Sequence, residues 1–254
     1  MRIVLLGTGN LATRLGISLC AKGTEIIQVY GRSETGCSHL SGLLGCAYTT
    51  TKSEIIADAD LYILAVSEMA IPEVLAGSPI RDQFLVHTSG SISMEMLASF
   101  SKNYGVFYPL QTLSVQKEVD FGNVPICIEA NNDENLKTLN DLAHTISGQV
   151  FKIDSTQRRQ LHLAAVFVCN FVNHFYAIGE KLLDEQQLDF NLLRPLILET
   201  ASKAMLFSPP EVQTGPATRG NQPIMGLHLN MLEQHPEWQK LYELISKDIN
   251  LFQN

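Results

Sequence analysis

Met1-Arg-Ile-Val-Leu-Leu-Gly7-Thr-Gly9-Asn-Leu-Ala12 is the stretch that decides the fold of this chain. Ile3 to Leu6 is a short continuous apolar run, the pattern of a strand buried on both faces, and it leads straight into glycines. Gly7-x-Gly9-x-x-Ala12 then completes the fingerprint of a dinucleotide-binding strand–turn–helix unit. Gly7 lets the chain turn sharply out of the strand, Gly9 has no Cβ to block a pyrophosphate, and Ala12 lets the helix pack close to the strand. Leu11, Leu15 and Leu19 continue at helical spacing. A helix starting near Asn10 would aim unpaired backbone N–H groups and its positive dipole end at the phosphates. Gly7, Thr8, Gly9, Asn10, Leu11 and Ala12 are therefore expected to line a dinucleotide site. The competing reading is a tight turn in an α/β protein without a cofactor.

The second strand, expected at 25–30, ends where the adenosine ribose would lie. NAD sites usually place Asp or Glu there to accept from the 2′-hydroxyl. Here the chain runs Tyr30-Gly31-Arg32-Ser33, with no carboxylate before Glu34. A guanidinium beside a hydroxyl suits a 2′-phosphate through charge-assisted, bidentate hydrogen bonds. Gly31, Arg32 and Ser33 thus favour NADP over NAD, unless Arg32 only stacks on adenine or points into solvent.

Outward from this start, strands expected at 2–6, 25–30, 61–66, 84–88, 105–108, 124–129 and 149–153 alternate with helical patterns, clearest at 10–21, 69–76 and 132–146. Alternation of this kind builds a parallel sheet. From Asp154 onward only helical patterns remain. Asp154-Ser-Thr-Gln157 is a capping box that opens one long helix over 155–184, and others are expected at 191–206, 223–232 and 236–252. The fold class is α/β: an N-terminal Rossmann-like, doubly wound, mostly parallel sheet over 1–153, followed by an all-α domain over 154–254. A length of 254 residues accommodates two modest domains, and 45% hydrophobic with 17% charged residues is ordinary for a globular protein.

A formal net charge of −8 argues against a nucleic-acid backbone or an anionic membrane as partner. The five cysteines are scattered, without CxxC pairs or metal-ligand spacing, as expected of reduced thiols in a cytoplasmic protein that holds no metal. The N-terminal apolar run is too short for a signal peptide, and Leu163 to Cys169 is too short to span a bilayer.

In open α/β sheets ligands bind beyond the carboxyl ends of the strands. Val66 and Ser67 would lie along the nicotinamide-side ribose. His87-Thr88-Ser89-Gly90-Ser91 and Pro109-Leu110-Gln111-Thr112 end the next two strands with small donors. Thr88, Ser89, Gly90, Gln111 and Thr112 are expected to face a substrate, whereas His87 reads as a structural strand-end histidine. The 155–184 helix is apolar on most sides and therefore expected to be buried. His162, Asn170, Asn173 and His174 share one narrow arc on it, and buried imidazoles and amides need partners. Asn170 and His162 are the candidates to meet a substrate in an interdomain cleft, with His162 as proton donor, and His174 is expected to be structural. A loop at 213–221 displays Arg219, which would hold an anionic substrate group unless it is ion-paired internally.

Gly7-Thr-Gly-Asn-Leu-Ala12, Tyr30-Gly-Arg-Ser33 and Ala65-Val-Ser67, with an all-helical second half, resemble a superfamily that includes 6-phosphogluconate dehydrogenase, β-hydroxyacid dehydrogenases, pyrroline-5-carboxylate reductase and deazaflavin-dependent NADP oxidoreductases. More narrowly, His87-Thr-Ser-Gly-Ser91, Tyr108-Pro-Leu-Gln-Thr112 and Thr214-Gly-Pro-Ala-Thr-Arg-Gly220 resemble a largely uncharacterised family of Rossmann-like NADP oxidoreductases with their own helical domain. The resemblance implies hydride transfer between NADP and a small, anionic imine or carbonyl metabolite, with a deazaflavin as a further co-substrate option. The β-hydroxyacid dehydrogenases keep a lysine one turn before an asparagine. Asn170 matches the asparagine, but Val166 stands at the lysine position and cannot shuttle a proton. That departure keeps a rival open, a non-catalytic NADP-binding sensor or scaffold. Long apolar helices in a domain of about a hundred residues often need a partner, so a homodimer through the helical domain is expected.

Overall fold

A computed structural model describes residues 1–114 and 116–253 of the chain. Its first compact unit, Met1–Asn173, carries one eight-stranded sheet. In chain order the elements are β1 (Arg2–Leu6), α1 (Asn10–Ala21), β2 (Glu25–Tyr30), α2 (Glu34–Leu44), β3 (Ala47–Thr49), β4 (Leu61–Leu64), α3 (Ile71–Ala76), β5 (Leu85–His87), β6 (Tyr104–Pro109), β7 (Ile126–Ala130), α4 (Asp133–Ile146) and β8 (Val150–Lys152). The strand order is β3-β2-β1-β4-β5-β6-β7-β8, parallel throughout except for the antiparallel β6–β7 pair. β1 lies between β2 and β4, so the chain order reverses beside it and a crevice opens past its carboxyl end. Its side chains alternate between two cores: Ile3 and Leu5 pack with Leu15, Val29 and Ile63, while Val4 and Leu6 pack with Tyr62, Leu64 and Leu75. Burial on both faces explains the unbroken apolar run in the sequence.

Every expected strand is present with bounds shifted by a residue or two. Two elements, α2 and β3, lie in a stretch where no element was expected.

The helical run opens with α5 (Ser155–Ala165), passes through a π-helical segment Val166–Phe171, and continues as α6 (Val172–Asp184). The capping box is formed: Asp154 accepts from the backbone of Thr156 and Gln157, and Gln157 accepts from the Asp154 N–H at 3.1 Å. The first unit reaches into this run, past the boundary drawn at 153, and the reason is local. Ser155 donates to Glu129 on β7 through N–H and hydroxyl, and Leu161 packs against the small cluster of Val106, Tyr108 and Cys127. Fully buried Arg158 bridges Glu129, the Ile92 carbonyl and Ser155.

The run departs from expectation in two ways. Its apolar side chains are not buried within the chain: Phe167 is 60% and Val168 68% exposed. Its 30 residues match the expected length, but with a mean hydropathy of 1.5 in the most apolar window, length and composition alone would allow it to cross a membrane, against the reading of Leu163 to Cys169 as too short. The seven-residue stretch considered in the sequence understated it, because intervening Asn and His interrupt the apolar run without ending the helix.

The second unit, from His174 on, contains the rest of α6 with α7 (Arg194–Leu206), α8 (Gln222–Met231) and α9 (Pro236–Gln253). Its helices enclose an apolar cavity of about 320 Å³ bordered by Phe175, Trp238, Ile245 and the hydrogen-bonded pair His228–Tyr242.

Candidate functional site

The cleft past the end of β1 has a volume of about 250 Å³. Gly7, Thr8 and Gly9 line it, with Gly31 and Arg32 from the end of β2 and Val66 and Ser67 from the turn after β4. Gly7 has φ +131°, and a Cβ there would lie 2.2 Å from the Ala65 carbonyl oxygen. Only glycine fits this turn. A Cβ on Gly9 would meet nothing within 4 Å, because it would point into open space where a ligand's phosphates can approach the backbone. Gly9 caps α1 without a side-chain hydrogen bond, and the first turn of the helix carries no acidic residue. Its N–H groups and positive dipole end are thus left for an anion. Asn10 turns away and donates to the Leu113 carbonyl, while Leu11 and Ala12 pack into the core.

At the ribose end Arg32 is exposed, and Ser33 Oγ caps α2 by accepting from the Gly36 N–H and lies 3.4 Å from Thr35 Oγ1. Glu34 is held by the Tyr48 hydroxyl at 2.6 Å. Glu73 also borders the cleft. Lys52, hydrogen-bonded to it at 2.7 Å, holds its carboxyl below the usual range, with Arg32 adding to the effect. The Arg32 guanidinium at this end of the cleft fits a dinucleotide that carries a 2′-phosphate.

The turns after β4 and β5, the end of β6 and α5 form a second polar group in the same unit. Glu68 accepts from Ser89 Oγ at 2.7 Å and from Ser91 Oγ at 3.1 Å. An interaction with its own backbone N–H, then the Ser89 hydroxyl, lowers its pKa against the opposing effect of burial; Ser91 and His162 act in the same direction. Across the Gly90 turn, the Tyr108 hydroxyl lies 3.1 Å from Nδ1 of His162, with the rings edge to face. Gly90 is pressed against both: a Cβ there would fall 2.7 Å from His162 Nδ1 and 2.8 Å from Tyr108 Cζ. Burial, foremost, pushes the Tyr108 phenol up to about 12.

The remaining expected residues divide. Thr88 is buried and its hydroxyl donates to the Leu64 carbonyl, so it closes the strand end and is not free to meet a ligand. Gln111 Oε1 accepts from the N–H of Thr112, a self-contained turn on the surface. His87 is fully buried, accepts from the Ser89 N–H at Nδ1, and is pressed down to about 4 by desolvation and by the Arg158 charge. Its structural reading accords with this environment. Asn170, Asn173 and His174 are exposed, so the argument that buried amides demand partners does not hold for them within the chain. The π segment also widens the turn between His162 and His174, and the expected 3.6-residue arc does not persist through it. Arg219 lies in the second unit, exposed and without an ion pair among the described residues. Those residues contain no His/Cys/Asp/Glu cluster suited to a metal.

Tyr108, Glu68 and the Arg158–Glu129 pair were not singled out from sequence. Tyr108 sits in a motif that was and Glu68 directly follows one, and a phenol or carboxylate at a strand end was the available signal. Arg158 gave none.

Residues 2–90 match the family described as "NADP oxidoreductase coenzyme F420-dependent", and residues 124–249 match a domain of unknown function, DUF2520. Among solved structures, a "putative NADP oxidoreductase" from Bacteroides fragilis is 45% identical, with a TM-score of 0.94 over 98% of this chain and 97% of the other. A Thermotoga maritima protein is 22% identical, with a TM-score of 0.80 over 99% of each chain. A reductive aminase from Aspergillus terreus, solved with NADPH and ethyl levulinate, is 13% identical with a TM-score of 0.73 over 98% of this chain and 93% of the other, a likeness of fold alone. No curated protein sequence matches the chain.

Proposed function

Since this chain belongs to the NADP oxidoreductase family that joins an N-terminal nucleotide-binding domain to a DUF2520 domain, we propose that it reduces a small imine or carbonyl metabolite with NADPH. The observation that carries the reading is a hydrogen-bonded pair, Tyr108 near the end of β6 and His162 on α5, in the same unit as the β1 turn that presents the glycine cleft. Gly7, Thr8, Gly9 and the N-terminus of α1 would hold the pyrophosphate, Arg32 and Ser33 the 2′-phosphate, and Val66 and Ser67 the nicotinamide-side ribose. Bound NADPH supplies the hydride, two electrons with one hydrogen nucleus, to the carbon of C=N or C=O. His162 delivers the proton to the nitrogen or oxygen that gains negative charge, and regains one from water. Ser89 and Gly90 shape the substrate side of the turn, and Gln111 and Thr112 its rim. Asn170 offers an amide to the acceptor.

A homodimer belongs to the same reading. Exposed Leu163, Phe167, Val168 and Phe171 form an apolar surface larger than isolated surface residues require, and a second copy covers it more economically than a membrane would. The five cysteines are unpaired, which suits a cytoplasmic setting.

The test is NADPH consumption against a panel of cyclic imines, imino acids and keto acids, with a reduced deazaflavin as alternative hydride donor to NADP. Activity with any C=N or C=O acceptor that falls in His162→Gln, with NADP affinity unchanged, supports the proposal. Tight NADP binding with no turnover across the panel would favour the sensor reading raised by Val166.

A further inference from the structure

Resting on the reductase reading, we propose that Tyr108 is a positioning residue that fixes the tautomer of His162, so that the proton is delivered from Nε2 and from no other atom of the ring. The pair is built by non-local geometry. Tyr108 stands near the end of β6, buried with its hydroxyl 3.1 Å from His162 Nδ1, and His162 projects from α5 one turn beyond Arg158, which anchors that helix to Glu129.

Direction follows from counting donors. A phenol has one proton to give, and a buried one needs an acceptor. Nδ1 of His162 is the sole hydrogen-bond partner of the Tyr108 hydroxyl among the described residues. If Nδ1 carried hydrogen, it would donate to the phenol oxygen and leave the phenol proton with no acceptor. If Nδ1 is bare, the phenol donates, both groups are satisfied, and the ring hydrogen sits on Nε2. Burial favours the protonated phenol, which keeps the donor a donor. Gly90 closes the pair off: it lies so near both rings that a methyl group in place of its hydrogen would collide with Nδ1 and with Tyr108 Cζ. Nδ1 is therefore sealed, whereas Nε2 has no hydrogen-bond partner among the described residues and His162 stays half-exposed. The Nε2–H is the proton that can reach an acceptor: as it leaves, the phenol proton passes to Nδ1 so that the ring stays neutral, and when Nε2 takes a proton from water the Nδ1 proton returns to the phenolate. The Glu68 carboxylate, held in place by Ser89 and Ser91, supplies the negative field in which the ring recovers its proton from water after delivery.

The experiment is nitrogen-15 NMR of the full chain labelled at histidine, with His162 assigned by the resonances lost in His162→Gln. In the neutral ring, Nδ1 should resonate in the unprotonated range and Nε2 in the N–H range. In Tyr108→Phe the two should move toward each other as the tautomers mix. In the NADPH assay the same variant should lose about tenfold to a hundredfold in kcat, the usual cost of removing a partner that orients a histidine, with KM and NADP affinity retained. A wild-type ring protonated at Nδ1, or a Tyr108→Phe spectrum unchanged from wild type, overturns the assignment, as does unchanged kcat in that variant. The wild-type spectrum decides the tautomer even if Tyr108→Phe does not fold. Because it needs no substrate, it separates the two ideas: no NADPH turnover by the wild-type chain would sink the reductase reading, whereas a mixed wild-type tautomer would sink the role of Tyr108 whether or not turnover is seen.

Discussion

Arg158→Ala should remove a keystone, and its cost can be worked from the contacts. The guanidinium is fully buried and reaches Glu129 Oε2, the Ile92 carbonyl and Ser155 Oγ, tying α5 to β7 and to the turn after β5. Removing one member of a buried pair costs about 3–5 kcal/mol, since the partner's charge stays behind. Glu129 would keep two donors, the N–H and hydroxyl of Ser155, so the loss should lie near the lower end, about 3 kcal/mol. Arg158→Met with Glu129→Leu removes both charges and should recover most of that loss. The single tryptophan, Trp238, belongs to the second unit, so fluorescence would not report the event. Hydrogen exchange of β7 and α5 amides in the full chain would. A loss below about 1 kcal/mol, or additive effects of Arg158→Ala and Glu129→Gln, would refute the claim that the pair is one coupled unit.

Three other outcomes are expected. His87 has its pKa lowered from 6.5 to about 4 in the folded chain, so the unfolded state binds more protons between those values. Stability is therefore complete above pH 6.5 and falls by about 3 kcal/mol as pH drops toward 4; in His87→Gln, urea titrations across this window should show a flatter slope. Arg32→Ala should erase about 1–3 kcal/mol of preference for NADP over NAD in calorimetric titration, with the fold intact. Light scattering at micromolar concentration should give a dimer, and Phe167→Asp with Val168→Asp should shift it toward monomer; a monomeric wild type would remove the dimer from the reading.

What was legible in the sequence was local. The β1 turn could be read because strand burial, glycine spacing and the start of a helix all lie within twelve residues. The capping box at Asp154 was legible for the same reason. α2 was not, because its Gly36 and Gly42 with two serines are poor helix formers, and it is held by Cys37 and Leu40 in the core. β3 is three residues at a sheet edge, below the length at which alternation can show. The polar arc was misjudged on two counts. Apolarity was equated with burial, although the chain leaves Phe167 and Val168 in solvent, and a constant 3.6-residue period was assumed through a segment that winds as a π-helix. Tyr108 and His162 stand 54 residues apart, and only the docking of α5 brings them together.

The absence of a lysine looks different once that docking is known. A reductive step requires an acid within reach of the forming amine or alcohol, not an acid at one helix position. Val166 begins the π segment, one turn beyond His162 on the same helix. Lysine placed there would extend from the wide turn on a flexible stem, with an ordinary pKa well above neutrality. Imidazole four residues earlier sits where α5 is still regular and anchored by Arg158, and a phenol from the sheet fixes its orientation. On the proposed reading the phenol relays a proton to Nδ1 as Nε2–H leaves, so the ring can give a proton and take one back. In the proposed mechanism the donor capacity absent at Val166 is supplied by His162, oriented from β6. The π turn then carries Phe167 and Phe171, in edge-to-face contact at 5.1 Å, on a surface left for another partner. One helix can serve chemistry through its anchored first half and association through its widened second half, and the change of winding at Val166 marks where the two duties part.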